Sequence, residues 1–148
     1  MKCIAIGDMG MGNNGQKKVS KLLQNLYNIY DIKFIMGLGD NIYPNGCTTV
    51  TDKQFKTKFE NIYRSLSNDV PWYMCLGNHD IGYIQDNSQI QIEYQKHSKK
   101  WKMPNKHYKY GNHLLDVFVM DTNLMNLSKK EKDSQKLYLM KSINKSKK

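Results

Sequence analysis

A chain of 148 residues fits one domain, and a domain of that size buries roughly 68–70% of the surface its unfolded chain exposes. A hydrophobic content of 39%, a mean hydropathy of -0.71 and the lack of any apolar run near the ~20 residues of a membrane span exclude a spanning helix. The net charge of +10 is unevenly spread: residues 1–93 hold nine Lys/Arg and nine Asp/Glu, whereas residues 94–148 hold fourteen Lys and four acids.

The first residues enter a strand pattern at once, Lys2–Gly7, with no signal peptide. A glycine-rich loop follows over Asp8–Gly15. Val19, Leu22, Leu23, Leu26, Tyr27 and Tyr30 then recur at helical spacing. Ile32–Leu38 reads as a second strand ending in Gly39-Asp40, and the turn-rich Asn41–Thr49 follows it. Thr51 with Gln54 suggests a capping box for a second amphipathic helix carrying Phe55, Phe59, Ile62, Tyr63 and Leu66. Pro71–Leu76 is a third strand, ending in Gly77-Asn78. This alternation implies parallel strands joined by right-handed helical crossovers, an α/β fold.

Further on, Gln89–Lys100 reads as helical, and Met103-Pro104 ends it. His107–Tyr110 and Leu114–Asp121 flank Gly111-Asn112, a two-residue hairpin signal. Ser128 and Glu131 form a capping box before a last helix with Leu137, Met140 and Ile143. No repeat or linker divides the chain, so residues 1–148 are read as one domain. Cys3, Cys47 and Cys75 are an odd, sparse set without CxxC, which argues against a disulfide scaffold and for an intracellular, reducing location. The lysine excess at the C-terminal end reads as a solvated face, with attraction of phosphorylated ligands as the alternative.

Asp8, Asp40 and Asn78 each follow a glycine at the carboxyl end of a strand, where ligands bind in open α/β sheets. Two carboxylates and a carboxamide oxygen suit hard cations, and a bridging carboxylate can hold two ions ~3.5–4 Å apart. His79 can protonate a leaving oxygen or stabilise phosphoryl charge. One Gly-Asp corner alone is usually a turn former. Gly111-Asn112-His113 shows that Gly-Asn-His also occurs at a plain hairpin. The signal is three such corners in order, separated by helices.

The set Gly7-Asp8-Met9-Gly10, Gly39-Asp40-Asn41-Ile42-Tyr43-Pro44-Asn45-Gly46 and Gly77-Asn78-His79-Asp80 resembles the calcineurin-like metallophosphoesterases. Within them, Tyr43 three residues after Asp40 is similar to the small purple acid phosphatases of the tartrate-resistant type. The likeness continues through Gln91-Ile92-Glu93-Tyr94, Trp101-Lys102-Met103-Pro104, Val117-Phe118-Val119-Met120-Asp121-Thr122 and Gln135-Lys136-Leu137. It implies the N-terminal part of the metallophosphoesterase αββα sandwich, with mainly parallel strands and a later hairpin. It further implies a binuclear centre of Fe3+ with Fe2+, Zn2+ or Mn2+. Asp8 and Tyr43 would bind the ferric ion, Asp40 would bridge, Asn78 would bind the divalent ion, and His79 would be the acid. The implied reaction is phosphate monoester hydrolysis by a metal-bound hydroxide.

The family continues into Gly-His and Gly-His-x-His segments that supply three histidine ligands. Here only His79, His97, His107 and His113 occur, and none of them lies in such a context. The chain therefore reads as a C-terminally truncated domain whose last helix leaves an apolar face uncovered, with doubtful activity on its own. The alternatives are a non-catalytic degenerate paralogue that binds phosphorylated ligands or a partner, and one half of a split phosphatase completed by a C-terminal complementing chain. Residues 94–110 mix lysines with Tyr94, Trp101, Tyr108 and Tyr110, as single-stranded nucleic-acid sites do. The resemblance places those aromatics inside the phosphatase body, so a nucleic-acid partner is not expected, and the lack of a spanning apolar run argues against a membrane partner.

Overall fold

A computed structural model describes residues 1–83 and 86–146. Four parallel strands form the main sheet in the order β1 (Lys2–Ile6), β2 (Ile32–Gly37), β3 (Trp72–Met74) and β4 (Trp101–Lys102). The first three occupy the segments expected from sequence. The crossover from β1 to β2 is α1 (Asn14–Ile29), started by Asn13, whose side chain accepts from the Gln16 amide. Gln16, Ser20 and Leu23 are buried, whereas Val19, Leu22 and Tyr30 of the expected apolar stripe are exposed.

The second crossover departs from a regular helix. Asp52, not Thr51, caps it, accepting from the Gln54 amide at 2.9 Å. Only Lys53–Phe55 (α2) is α-helical; Lys56–Glu60 winds as a π-helix, with the Asn61 amide donating to the Lys56 carbonyl at 2.9 Å. Phe55, Phe59, Tyr63 and Leu66 are nonetheless all buried. They pack with Trp72 and Trp101, and Phe59 meets both indoles edge-on at 5.1 and 4.9 Å.

The helix expected over 89–100 ends early: α3 is Ser88–Tyr94. The chain must turn there to bring Trp101 into the core, where its indole N–H donates to the Gln91 carbonyl. Lys100 is only 2% exposed, its ammonium donating to the Tyr63 carbonyl, and burial lowers its pKa. A residue that looks like one more solvated lysine thus ties β4 to the second crossover.

β5 (Tyr108–Gly111) and β6 (Asp116–Val119) form the expected antiparallel hairpin on the other face of the sheet. Tyr110 stacks on Tyr73 at 3.7 Å and meets Phe34 edge-on. The two-residue turn does not form. Gly111 pairs with Asp116, so Asn112–Leu115 make a four-residue loop, closed by the Asn112 side chain accepting from the amides of Leu114 and Leu115.

The last helix, α4 (Lys129–Lys145), has the expected Ser128–Glu131 capping box. It docks through Gln135, which exchanges hydrogen bonds with the Asp121 backbone, and through Leu139. Leu137, Met140 and Ile143 are 52%, 53% and 54% exposed. They form the uncovered face expected from sequence. The three cysteines are free thiols. No helix among the described residues is long and apolar enough to cross a membrane.

Candidate metal centre

The sheet brings the three corners at Asp8, Asp40 and Asn78 to one end, after β1, β2 and β3. The Asp8 amide donates to the Gly39 carbonyl at 3.1 Å and the Tyr43 amide to the Gly10 carbonyl at 3.0 Å, so the first two loops are laced together by their backbones. The glycines are steric requirements. A Cβ on Gly77 would lie 2.1 Å from Asp40 Oδ1 and 2.3 Å from the Asp40 amide nitrogen. Gly39, at φ +95°, has the Gly77 backbone 2.7 Å from where a Cβ would sit. Gly7 is under no such pressure; in the first loop the tightly packed glycine is Gly10, against the Asn41 carbonyl.

Asp8 and Asp40 themselves adopt the left-handed backbone region, with φ of 53° and 51°. Both carboxylates thereby turn toward Tyr43. The Tyr43 hydroxyl lies 2.8 Å from Asp8 Oδ1 and 2.7 Å from Asp40 Oδ2. A phenol has one proton, so it can serve one of these acceptors but not both. The hydrogen bond to Asp40, then burial, then Asp8 drive the phenol pKa well above its ordinary value. A cation at this point would neutralise both carboxylates and reverse that shift.

The other Asp40 oxygen accepts from the His79 amide at 3.1 Å. That contact seats the short 3-10 turn Asn78–Asp80 beside the second loop. Asn78 opens the turn with its side chain exposed and without a hydrogen bond among the described residues. The His79 ring lies 4.4 Å from the Tyr43 ring, and its Nδ1 is 2.7 Å from the Pro44 carbonyl. A carbonyl only accepts, so Nδ1 carries the proton and Nε2 is the nitrogen available for chemistry. Asp8, Asp40, Tyr43 and His79 are therefore together, with Asn78 at the rim. His97 and His113 are exposed elsewhere, and His107 lies 5.2 Å from Tyr138 of α4.

Sequence reasoning missed Asp80. Its carboxylate is fully buried and accepts from the amides of Asn41 (2.9 Å), Ile42 (3.1 Å) and Gly77 (2.8 Å) and from Gln91 Nε2 (2.8 Å). It clamps the second loop to the third. Burial pushes its pKa up to about 6, against the opposing pull of those donors. Lys58 was missed as well: its ammonium donates to the Tyr43 carbonyl and to Gln54 Oε1, holding the tyrosine turn from behind. An acid directly after Gly-Asn-His, beside the amides of a glycine corner, was the one available signal for Asp80.

Comparisons with known proteins bear on the family and the fold. The family model for calcineurin-like phosphoesterases matches residues 1–143. The chain belongs to that family. It is 38% identical over 137 residues to tartrate-resistant acid phosphatase type 5 of Oryctolagus cuniculus, covering 82% of this chain and 41% of that protein. It is 42% identical over 78 residues to purple acid phosphatase 4 of Arabidopsis thaliana, covering 52% of this chain and 23% of that one. The chain thus spans about two fifths or less of these relatives and matches their N-terminal part. Among solved structures it is similar to a chain described as "GAP50 the anchor in the inner membrane complex of Plasmodium". The TM-score is 0.70 at 21% identity, covering 91% of this chain and 46% of that one, a likeness of fold.

Membership implies a binuclear metal centre. The donors present fit part of one, since two carboxylates and a phenol are hard oxygen ligands suited to a cation. Among the described residues no three His, Cys, Asp or Glu side chains gather closely enough to hold an ion. What gathers instead is two carboxylates around a phenol, all hard oxygen donors, with too few protons for their acceptors.

Proposed function

We propose that this chain supplies the oxygen-donor part of a purple acid phosphatase-like phosphomonoesterase and needs further polypeptide for full turnover. The observation that carries the reading is the contact of one Tyr43 hydroxyl with both Asp8 and Asp40. In this reading Asp8 and Tyr43 would hold a ferric ion, Asp40 would be shared with a divalent ion (Fe2+, Zn2+ or Mn2+), and Asn78 would ligate the second. When bound, such a pair supplies charge neutralisation and water activation for phosphate ester hydrolysis. The chain's own contribution is orientation and proton transfer. The Pro44 carbonyl holds Nδ1 of His79, so a protonated Nε2 can donate to the leaving-group oxygen. Asp80 and Lys58 keep the second and third loops in register.

A complementing polypeptide is favoured by two further observations. β1 pairs only with β2 and is an open edge among the described residues, lying against the Asp8 corner. A cavity of about 300 Å³ beside it is lined by Asp8, Met9, Met11 and Val19, and Met11 and Val19 are exposed. A strand added at that edge would end beside Asp8.

Metal analysis with para-nitrophenyl phosphate turnover tests the reading. The 148-residue chain is expected to bind iron or zinc weakly, to lose that binding in Asp40→Asn, and to turn over substrate appreciably only after a histidine-bearing C-terminal polypeptide is added. Stoichiometric metal with robust turnover by the chain alone would refute the need for a complement. Absence of metal binding under every condition would point to the non-catalytic paralogue.

A further inference from the structure

The cations of residues 1–93 match the acids in number, but the fold does not place an acid beside each of them. Asp8, Asp40 and Asp80 are committed to the three corners, and Asp52 caps the second crossover. Lys17, Lys21 and Arg64 instead meet at a groove of about 540 Å³ between α1 and the second crossover. Lys17 and Lys21 stand four residues apart on one face of α1, a like-charge pair that disfavours the helix unless an anion answers it. Arg64, the only arginine in the chain, lines the same groove. No carboxylate lines it, and the ion pairs among the described residues involve Lys33, Lys106 and Lys109 but none of these three cations.

The groove is also built to hold its shape. The Ser20 hydroxyl, buried in its floor, donates to the Ile62 carbonyl at 2.6 Å and so locks α1 to the second crossover. Thr57 adds a hydroxyl to the wall. Three uncompensated cations, one a guanidinium fork suited to bidentate phosphate contact, favour a ligand with several negative charges. The volume matches that of an ordinary small-molecule site.

We propose that this groove binds a small polyanion bearing two or more phosphate groups, independently of the metal centre. Neither the family match nor the resemblance at the three corners assigns it a role.

Calorimetric titration of the full 148-residue chain with inositol hexakisphosphate, in EDTA to keep the metal centre out of the measurement, tests it. Arg64→Gln and Lys21→Gln should each weaken binding about five- to tenfold, as expected for a lost charge-assisted hydrogen bond. The exposed α4 pair Lys129→Gln/Lys130→Gln should change it by less than about twofold, since its charges would act only at long range. Lys17→Gln is a second groove variant should either of the others fold poorly, and circular dichroism checks the fold of each. Equal weakening by the α4 control would show generic charge attraction and overturn the proposal. Wild-type affinity in the groove variants, or no heat of binding by the wild-type chain, would do the same.

Discussion

Asp80→Asn isolates the clamp between the second and third loops, because it keeps side-chain volume and removes one acceptor. Oδ1 of Asp80 accepts from Asn41 N, Ile42 N and Gln91 Nε2, and Oδ2 accepts from Gly77 N at 2.8 Å and more weakly from Asn41 N at 3.1 Å. An asparagine can keep its oxygen at the first position. It then turns an NH2 group toward the Gly77 amide. The Gly77 N–H and the new amide hydrogens become buried donors without acceptors, at about 1–3 kcal/mol each. The expected loss is about 2–5 kcal/mol. Urea unfolding of wild type and variant measures it; with a slope of ~1–3 kcal/mol/M for a domain of this size, the midpoint should fall by about 1 M or more. The same change loosens the loop carrying Asp40, so zinc affinity should drop about 10–100-fold, as for other groups that orient ligands. A stability loss under about 1 kcal/mol would refute the clamp.

Gly77→Ala should be at least as damaging, because its Cβ meets the Asp40 backbone, which cannot swing aside; the expected loss is about 3 kcal/mol or more, with metal binding lost, read by unfolding and zinc titration. Asp52→Ala removes a helix cap and should cost about 1 kcal/mol at neutral pH. Burial alone would raise the Asp52 pKa, but the Gln54 and Thr48 amides outweigh it and lower it. The cap therefore stabilises fully above the unfolded value of about 4, and the difference between variant and wild type should shrink as pH falls through and below that value. On α4, Leu139→Ala should cost about 2 kcal/mol or more, whereas Leu137→Ala should stay within about 0.5 kcal/mol by thermal melting. The reverse order would mean that the helix docks by its other face.

The strand–helix alternation and the three corners were legible because their signals are local: a period, a glycine, a carboxylate after an apolar run. Asp80 was legible only as an acid after Gly-Asn-His, since its partners at Asn41 and Ile42 lie 39 and 38 residues away. The docking face of α1 was misread, and Gln135 went unmarked on α4, for another reason. Apolar spacing marks every face that can be buried, and in both helices polar residues, Gln16 and Ser20 or Gln135, take the inward positions through hydrogen bonds. Lys100 shows the same limit. Its charge suggests solvent, yet one carbonyl acceptor and the packing around Trp101 decide its place.

The left-handed backbones of Asp8 and Asp40 set folding stability against chemistry at the same two positions. Each conformation costs a non-glycine residue about 1 kcal/mol, though aspartate tolerates it better than most. Glycine at Asp8 would relieve the strain and remove the two carboxylates' mutual repulsion at the loss of one donor. A selection of this chain for thermal resistance alone should therefore drift toward Asp8→Gly, reaching a sturdier fold with a weaker hold on an ion.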